Sequence, residues 1–350
     1  MSNLKEPTNL MAKYHIINNK LKKRFMKNPN YPEISEEFIS LAKECEQNQA
    51  WQYAGLCYTA ASRCYRIMGV TTSEINSLVQ AGRQYLVAEK QNTDIGCPSL
   101  GQENIVAATK CFLDAVERVP DAPEFKVLVS ECLREVASYQ KGTSACDQLL
   151  KKSISICATV ESFDALIVNS IKQDNYVEAL NAINELISLI ESTESKTLTR
   201  YRHSLHNAEI NRLFLVLIMY PTCFKVQPVH KKILDNYIAN EENTKNCLCL
   251  CDDEFILFQS LILACQSEDI EAILDLETEL WDYLNAYQKD LLRVLVRIIT
   301  NDNKKNQAAD NAWPSFQEKS YQIKHHKHNM SWKQCRIYWF WNQQNWYQPL

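Results

Sequence analysis

The side chains best able to do chemistry in this sequence are thiols and imidazoles. Cys247, Cys249 and Cys251 alternate in CLCLCDDE (247–254), and His325, His326 and His328 cluster towards the C-terminus. Thiolates hold zinc when two ligand pairs converge, usually as C-x₂₋₄-C with a second pair. C-x-C-x-C has no second half nearby, only His230 and Cys265 at a distance, so the competing reading is the start of a helix. No metal is expected. Cys57, Cys64, Cys111 and Cys132 fall at helical core spacing, as small buried hydrophobes of a reducing compartment rather than a disulfide framework. Six glycines in 350 residues leave few phosphate-cradling loops. G-x-x-x-x-G-K-S/T, H-E-x-x-H and G-x-S-x-G are all missing. Neither an enzyme nor a cofactor is expected.

Charge is distributed with more purpose than these groups. Residues 1–30 carry seven Lys/Arg against one acid, whereas 31–300 carry 24 basic and 38 acidic residues. In NKLKKRFMKNPN (19–30), Lys20, Lys22, Lys23, Arg24 and Lys27 surround Leu21 and Phe25. Leu10, Tyr14, Ile17, Leu21 and Phe25 step by four, three, four and four, one stripe of a helix that Asn28-Pro29 would end. A capping helix with a solvated basic surface, a basic face for a partner, and a nuclear address all fit the pattern. Nucleic acid is disfavoured because the aromatics lie on the buried stripe and cannot stack on bases.

The counterpart lies between Glu241 and Asp282, with twelve acids and one base, Lys245. Glu268, Glu271, Asp275, Glu279 and Asp282 step by three, four, four and three, opposite Ile270, Ile273, Leu274, Trp281 and Leu284. Like charges at i,i+4 cost about 0.2 to 0.5 kcal/mol per pair. Keeping such a stripe suggests a basic surface that neutralises it, with a plain solvated face as the alternative.

The elements that position these charges are helical pairs at tetratricopeptide spacing. KQDNYVEALNAINELISL places Tyr176, Ala179, Ile183 and Leu186 on a second helix, with Phe163 and Leu166 on the first, so one repeat spans about 160–193. An earlier copy has Phe38, Leu41, Ala42 and Cys45, then Trp51, Ala54, Tyr58 and Ala61, the alanines allowing close approach. A third is split, Leu78, Ala81, Gly82 and Tyr85 pairing with Ala108, Phe112, Ala115 and Pro120 across an inserted loop, KQNTDIGCPSLGQE (90–103). A fourth, 123–158, is assigned by position and apolar content. Further helices are expected near 200–220, 228–240, 253–266 and 268–299, the last broken near Asn285. The expected fold is an all-α, tetratricopeptide-like helical-repeat superhelix, whose expected activity is binding. It divides into a basic docking helix (1–31), a repeat domain (32–300) with Trp281 in its core, and a disordered tail (301–350). No apolar run reaches the ~20 residues of a transmembrane segment, and the start has no secretory signal.

Several of these segments together, YHIINNKLKKRFMKNPN, WQYAGLCYTAASRC, IGCPSLG, AEINRLFLVLIMYP and DEFILFQSLILA with DIEAILDLETELWDYL, resemble the 40-kDa huntingtin-associated protein family, also called factor VIII intron proteins. The similarity spans about residues 12–300 and is most specific at Asn19–Phe25 and Phe255–Trp281. It implies a non-enzymatic scaffold held between the HEAT-repeat arms of huntingtin, linked to an early-endosomal Rab GTPase, cytoplasmic and partly on early endosomes. The sequence departs from the vertebrate pattern in lacking the Ala/Gly-rich start, in reducing a Pro-rich insertion to about ESTESKTLTR, and in carrying residues 301–350. A SNAP-like vesicle-fusion adaptor, also built of stacked helices with charged faces, is the alternative.

Overall fold

The computed structural model describes residues 7–22, 29–192, 200–221, 226–238 and 250–311. By contact density the chain separates into residues 1–299 and 300–350. All regular structure among the described residues is helical. The α-helices are α1 (Pro7–Lys20), α2 (Tyr31–Gln47), α3 (Trp51–Met68), α4 (Thr71–Asp94), α5 (Glu103–Val116), α6 (Pro123–Ala137), α7 (Ser144–Ile156), α8 (Val160–Lys172), α9 (Tyr176–Glu191), α10 (Arg202–Met219), α11 (Pro228–Ile238), α12 (Asp252–Ser267), α13 (Ile270–Leu280) and α14 (Ala286–Asn311). Short 3₁₀ turns follow α6 (Ser138–Gln140) and α13 (Trp281–Tyr283).

Each helix packs chiefly on its neighbours in sequence, α2 on α3, α3 on α4, α6 on α7, α8 on α9 and α12 on α13. That is the order a helical-repeat chain requires, because a single amphipathic pair cannot bury both faces. The small residues of the motif do what their size allows. Ala54, Ala61, Ala81, Ala108 and Ala179 are fully buried, as are Phe38, Phe112 and Ile183. Trp51 and Tyr176, expected in the repeat core, are only half-buried, while Tyr58 is buried and its hydroxyl donates to Glu46 Oε1 at 2.9 Å. Cys57, Cys64, Cys111 and Cys132 are buried free thiols, and burial pushes Cys132 up to about 12.

Helix ends follow local chemistry. Pro32 and Pro123 stand in first turns, where a missing N–H costs nothing. Thr143, Thr159 and Asn175 cap α7, α8 and α9 through their side chains. The break near Asn285 is a reciprocal cap: Asn285 Oδ1 accepts from Gln288 N at 3.0 Å and Gln288 Oε1 from Asn285 N at 2.9 Å.

Three helix boundaries depart from the sequence reading. The inserted loop is shorter, since α4 runs on to Asp94 and only 95–102 are non-helical. Residues 90–94 include no proline or glycine to stop the helix. Helix α14 continues to Asn311, eleven residues into the segment read as tail; Asn301 to Asn311 again holds no helix breaker, while 312–350, with the histidine cluster, lie outside the described residues. Helix α1 ends at Lys20 rather than at Asn28-Pro29, its last turn tightened by Leu21 N and Lys22 N bonding back to Asn18 O and Asn19 O.

Candidate interaction face

The acidic residues are set by two caps in succession. Cys251 opens α12, its Sγ accepting from Glu254 N at 3.4 Å while Glu254 Oε2 accepts from Cys251 N at 2.9 Å. The one cysteine of C-x-C-x-C among the described residues is thus a helix start; Cys247 and Cys249 lie outside them. Glu254 is buried and also meets His206 Nε2 of α10 at 2.9 Å. Burial works to raise its carboxyl, but the Cys251 N–H and the His206 imidazole outweigh it and hold the group below its ordinary range. Glu268 then closes α12 in the left-handed region (φ 57°), and Asp269 caps α13 by accepting from Ala272 N at 3.1 Å.

This geometry corrects the five-residue stripe. Glu268 is the connector before α13 and Asp282 lies in the 3₁₀ turn after it, so only Glu271, Asp275 and Glu279 share the helix. At 100° per residue these three drift by about 80° and stay on one face. All five carboxylates are exposed, and none is in an ion pair with a described residue. The buried residues of α13 are Ile273, Leu276 and Leu280. Leu274, placed on the apolar side by the sequence reading, is exposed because it adjoins Ile273 and the two cannot face the same way. It stands among the acids, and Ile256 and Leu263 on α12 are exposed as well. Trp281 is half-buried, not core; Lys289 and Arg293 of α14 cover its ring at 4.9 and 4.6 Å from the centroid.

The basic N-terminal helix is engaged with its own chain. Leu10 and Ile17 are buried, Tyr14 packs on Phe38 with ring centroids 5.5 Å apart, and Leu21 covers the edge of the same cluster. Lys13 Nζ meets Glu44 at 2.6 Å and Lys20 pairs with Glu37, both on α2. Lys22 is exposed; Lys23, Arg24 and Phe25 lie outside the described residues.

The inserted loop was legible in the sequence, but the residue that anchors it was not. The 95–102 loop projects Ile95 and Leu100 into solvent, yet it is anchored from beneath by buried Glu89, which accepts from Ser99 N at 3.3 Å, Ser99 Oγ at 2.8 Å and Asn104 Nδ2 at 2.9 Å. Burial opposes the charge on Glu89, but these donors outweigh it and keep its carboxyl below the ordinary range.

Among the described residues, no group of three or more His, Cys, Asp or Glu is placed to hold a metal, and no helix is long and apolar enough to cross a membrane. The exposed charges and apolar side chains of α12 and α13 stand on helices capped at Cys251 and Asp269. No protein-family model matches the chain. It is similar to the 40-kDa huntingtin-associated protein of Mus musculus, 24% identical over 357 residues that take in 83% of this chain and 93% of that one. The protein of the same name from Rattus norvegicus is 24% identical over 355 residues, with the same coverage. The resemblance read from the sequence holds over most of both chains.

Proposed function

We propose that this chain is a non-enzymatic scaffold subunit that binds huntingtin, as the name of its relatives indicates for them. The observation that carries the reading is the extent of the similarity, which runs through nearly the whole length of proteins named for that association.

In this reading the face of Glu271, Asp275 and Glu279 meets a basic surface of huntingtin. Exposed like charges on one helix repel each other modestly, and a basic partner removes that repulsion while steering encounter. Leu274, exposed on the same helix as the acids, supplies the desolvated contact that charge alone does not. Helix α1 is tied to α2 through Lys13 and Lys20, and the basic segment of Lys20, Leu21, Lys22, Lys23, Arg24 and Phe25 is the second contact for the partner in this reading. Coupling to an early-endosomal Rab GTPase and residence on early endosomes complete the proposal; they rest on the family resemblance alone.

Affinity purification of the tagged chain at low and high salt tests it. Huntingtin in near-stoichiometric yield, reduced by salt, is the expected result. Recovery of SNARE bundles without huntingtin would favour a vesicle-fusion adaptor instead.

A further inference from the structure

A cleft of about 310 Å³ opens beside α8, bounded by the end of α6, the turn at Lys141, α7 and Tyr287 of α14. One face of α8 forms its floor: Asp164, Ala165, Val168, Asn169 and Lys172. The floor is polar at both ends and apolar between. At 1.5 Å per residue, Asp164 and Lys172 stand about 12 Å apart along the helix.

One lysine of the cleft stands over an aromatic ring and the other on a clamped turn. Lys172 Nζ sits 5.3 Å from the centroid of the Tyr287 ring. Lys141 is carried by a turn that buried Asn169 clamps, its Oδ1 accepting from Gly142 N at 2.6 Å and its Nδ2 donating to Thr143 O at 3.2 Å. Asp147, buried beneath the turn, accepts from the same amide at 2.7 Å and from Gln173 Nε2 at 2.7 Å, so the clamp is fully built. Arg134, the third cation of the cleft, is already engaged with Glu131. Lys141 and Lys172 are exposed and share one end of the cleft, because Asn169, one turn before Lys172 on α8, holds the turn that carries Lys141; neither has an acidic partner among the described residues. At the opposite end Asp164 is an acceptor whose only side-chain hydrogen bond among the described residues is a long one from Ser204 Oγ, 3.3 Å.

We propose that this cleft binds an extended peptide segment of a partner protein that carries an acidic side chain beside apolar ones. The acidic side chain lies between Lys141 and Lys172, the apolar side chains cover Ala165 and Val168, and Asp164 accepts from a peptide N–H at the far end. An extended chain rises about 3.3 Å per residue, so three to four residues span the floor. Two cations without an acidic partner beside an apolar strip are complementary to an acidic side chain flanked by apolar ones. The site uses none of the residues of the acidic face on α13, so it holds whether or not huntingtin is the partner.

The test uses the full chain and a fluorescein-labelled, C-terminally amidated hexapeptide of alternating leucine and alanine ending in two glutamates, followed by anisotropy. Two control peptides replace the glutamates with glutamine or with lysine. The glutamate peptide should bind at least roughly tenfold more tightly than the glutamine one, and the double variant Lys141→Glu/Lys172→Glu, with unchanged circular dichroism, should prefer the lysine peptide instead. Lys172→Arg should retain the parent's preference. Equal binding of the glutamate and glutamine peptides, no binding of the glutamate peptide by the folded parent, or an unchanged preference in the double variant overturns the proposal. So does displacement of the peptide by an equimolar amount of inorganic phosphate, which would reveal simple anion adsorption.

Discussion

Gly82 of α4 lies directly beneath the ring of Phe112 of α5, with room for a hydrogen and none for a methyl: an added Cβ would fall well inside 3.0 Å of the ring carbons. Phe112 is fully buried and cannot move aside freely. Alanine in a helix is favoured over glycine by about 1 kcal/mol, but the overpacking here costs about 1 to 3 kcal/mol. Gly82→Ala should therefore lower stability in urea unfolding. A variant as stable as the parent would show that α4 and α5 are not packed this closely.

Ala54 and Ala179 occupy the same kind of position in α3 and α9, each with no exposed surface. Ala54→Leu or Ala179→Leu should destabilise by about 1 to 3 kcal/mol, seen as a lower melting temperature by circular dichroism. Parent-like melting of both would contradict the repeat packing.

These positions were legible because repeat packing writes itself in residue size: alanine, glycine and cysteine at fixed steps, aromatics between them. Tyr176, Ala179, Ile183 and Leu186 sufficed to place α9. The acidic face was less legible. A charge pattern at three- and four-residue steps ran through Glu268 and Asp282 as though one helix continued. The left-handed turn at Glu268 and the cap at Asp269 depend on backbone conformations that charge spacing does not report. Leu274 was misplaced for a related reason, since two adjacent apolar residues leave the choice of buried partner to the neighbouring helix. Lys13 and Lys20 illustrate the same limit: their basic pattern was plain, but the acids they meet, Glu44 and Glu37, are remote in sequence.

Asp164 makes stability depend on pH in an unusual sense. Burial raises its carboxyl to about 6 from an ordinary 3.8, with Glu161 adding to the shift and Ser204 and His203 opposing it. Between those values the folded chain binds more protons than the unfolded one, so this group's contribution to stability falls as pH rises from about 4 to 6. Asp164→Asn removes the cost. At pH 7 the variant should be more stable by about 1 kcal/mol, after allowing for solvent at a half-buried site, and the gain should vanish below pH 4. Equal stability at pH 7 by thermal melting would contradict the burial assigned to this carboxyl.

Reversing Lys13 and Lys20 to Glu should loosen α1 from α2. Exposed ion pairs contribute roughly 0 to 1 kcal/mol each, and reversal also sets like charges against Glu44 and Glu37. Faster amide exchange in residues 7–20, with the rest of the chain unaffected, is the expected outcome. Unchanged exchange there would mean that Leu10, Tyr14 and Ile17 hold the helix without help from its charges.

The central claim, that this chain binds huntingtin through an acidic face on α13, is tested most directly by the association rate constant of the purified chain with huntingtin at low salt, measured for the parent and for Glu271→Lys/Glu279→Lys. Both side chains are exposed, so the variant should fold like the parent. Electrostatic steering predicts that the variant associates roughly tenfold more slowly and that its rate depends less on salt. Equal rates for the two folded proteins, or no association of the parent at all, would contradict it.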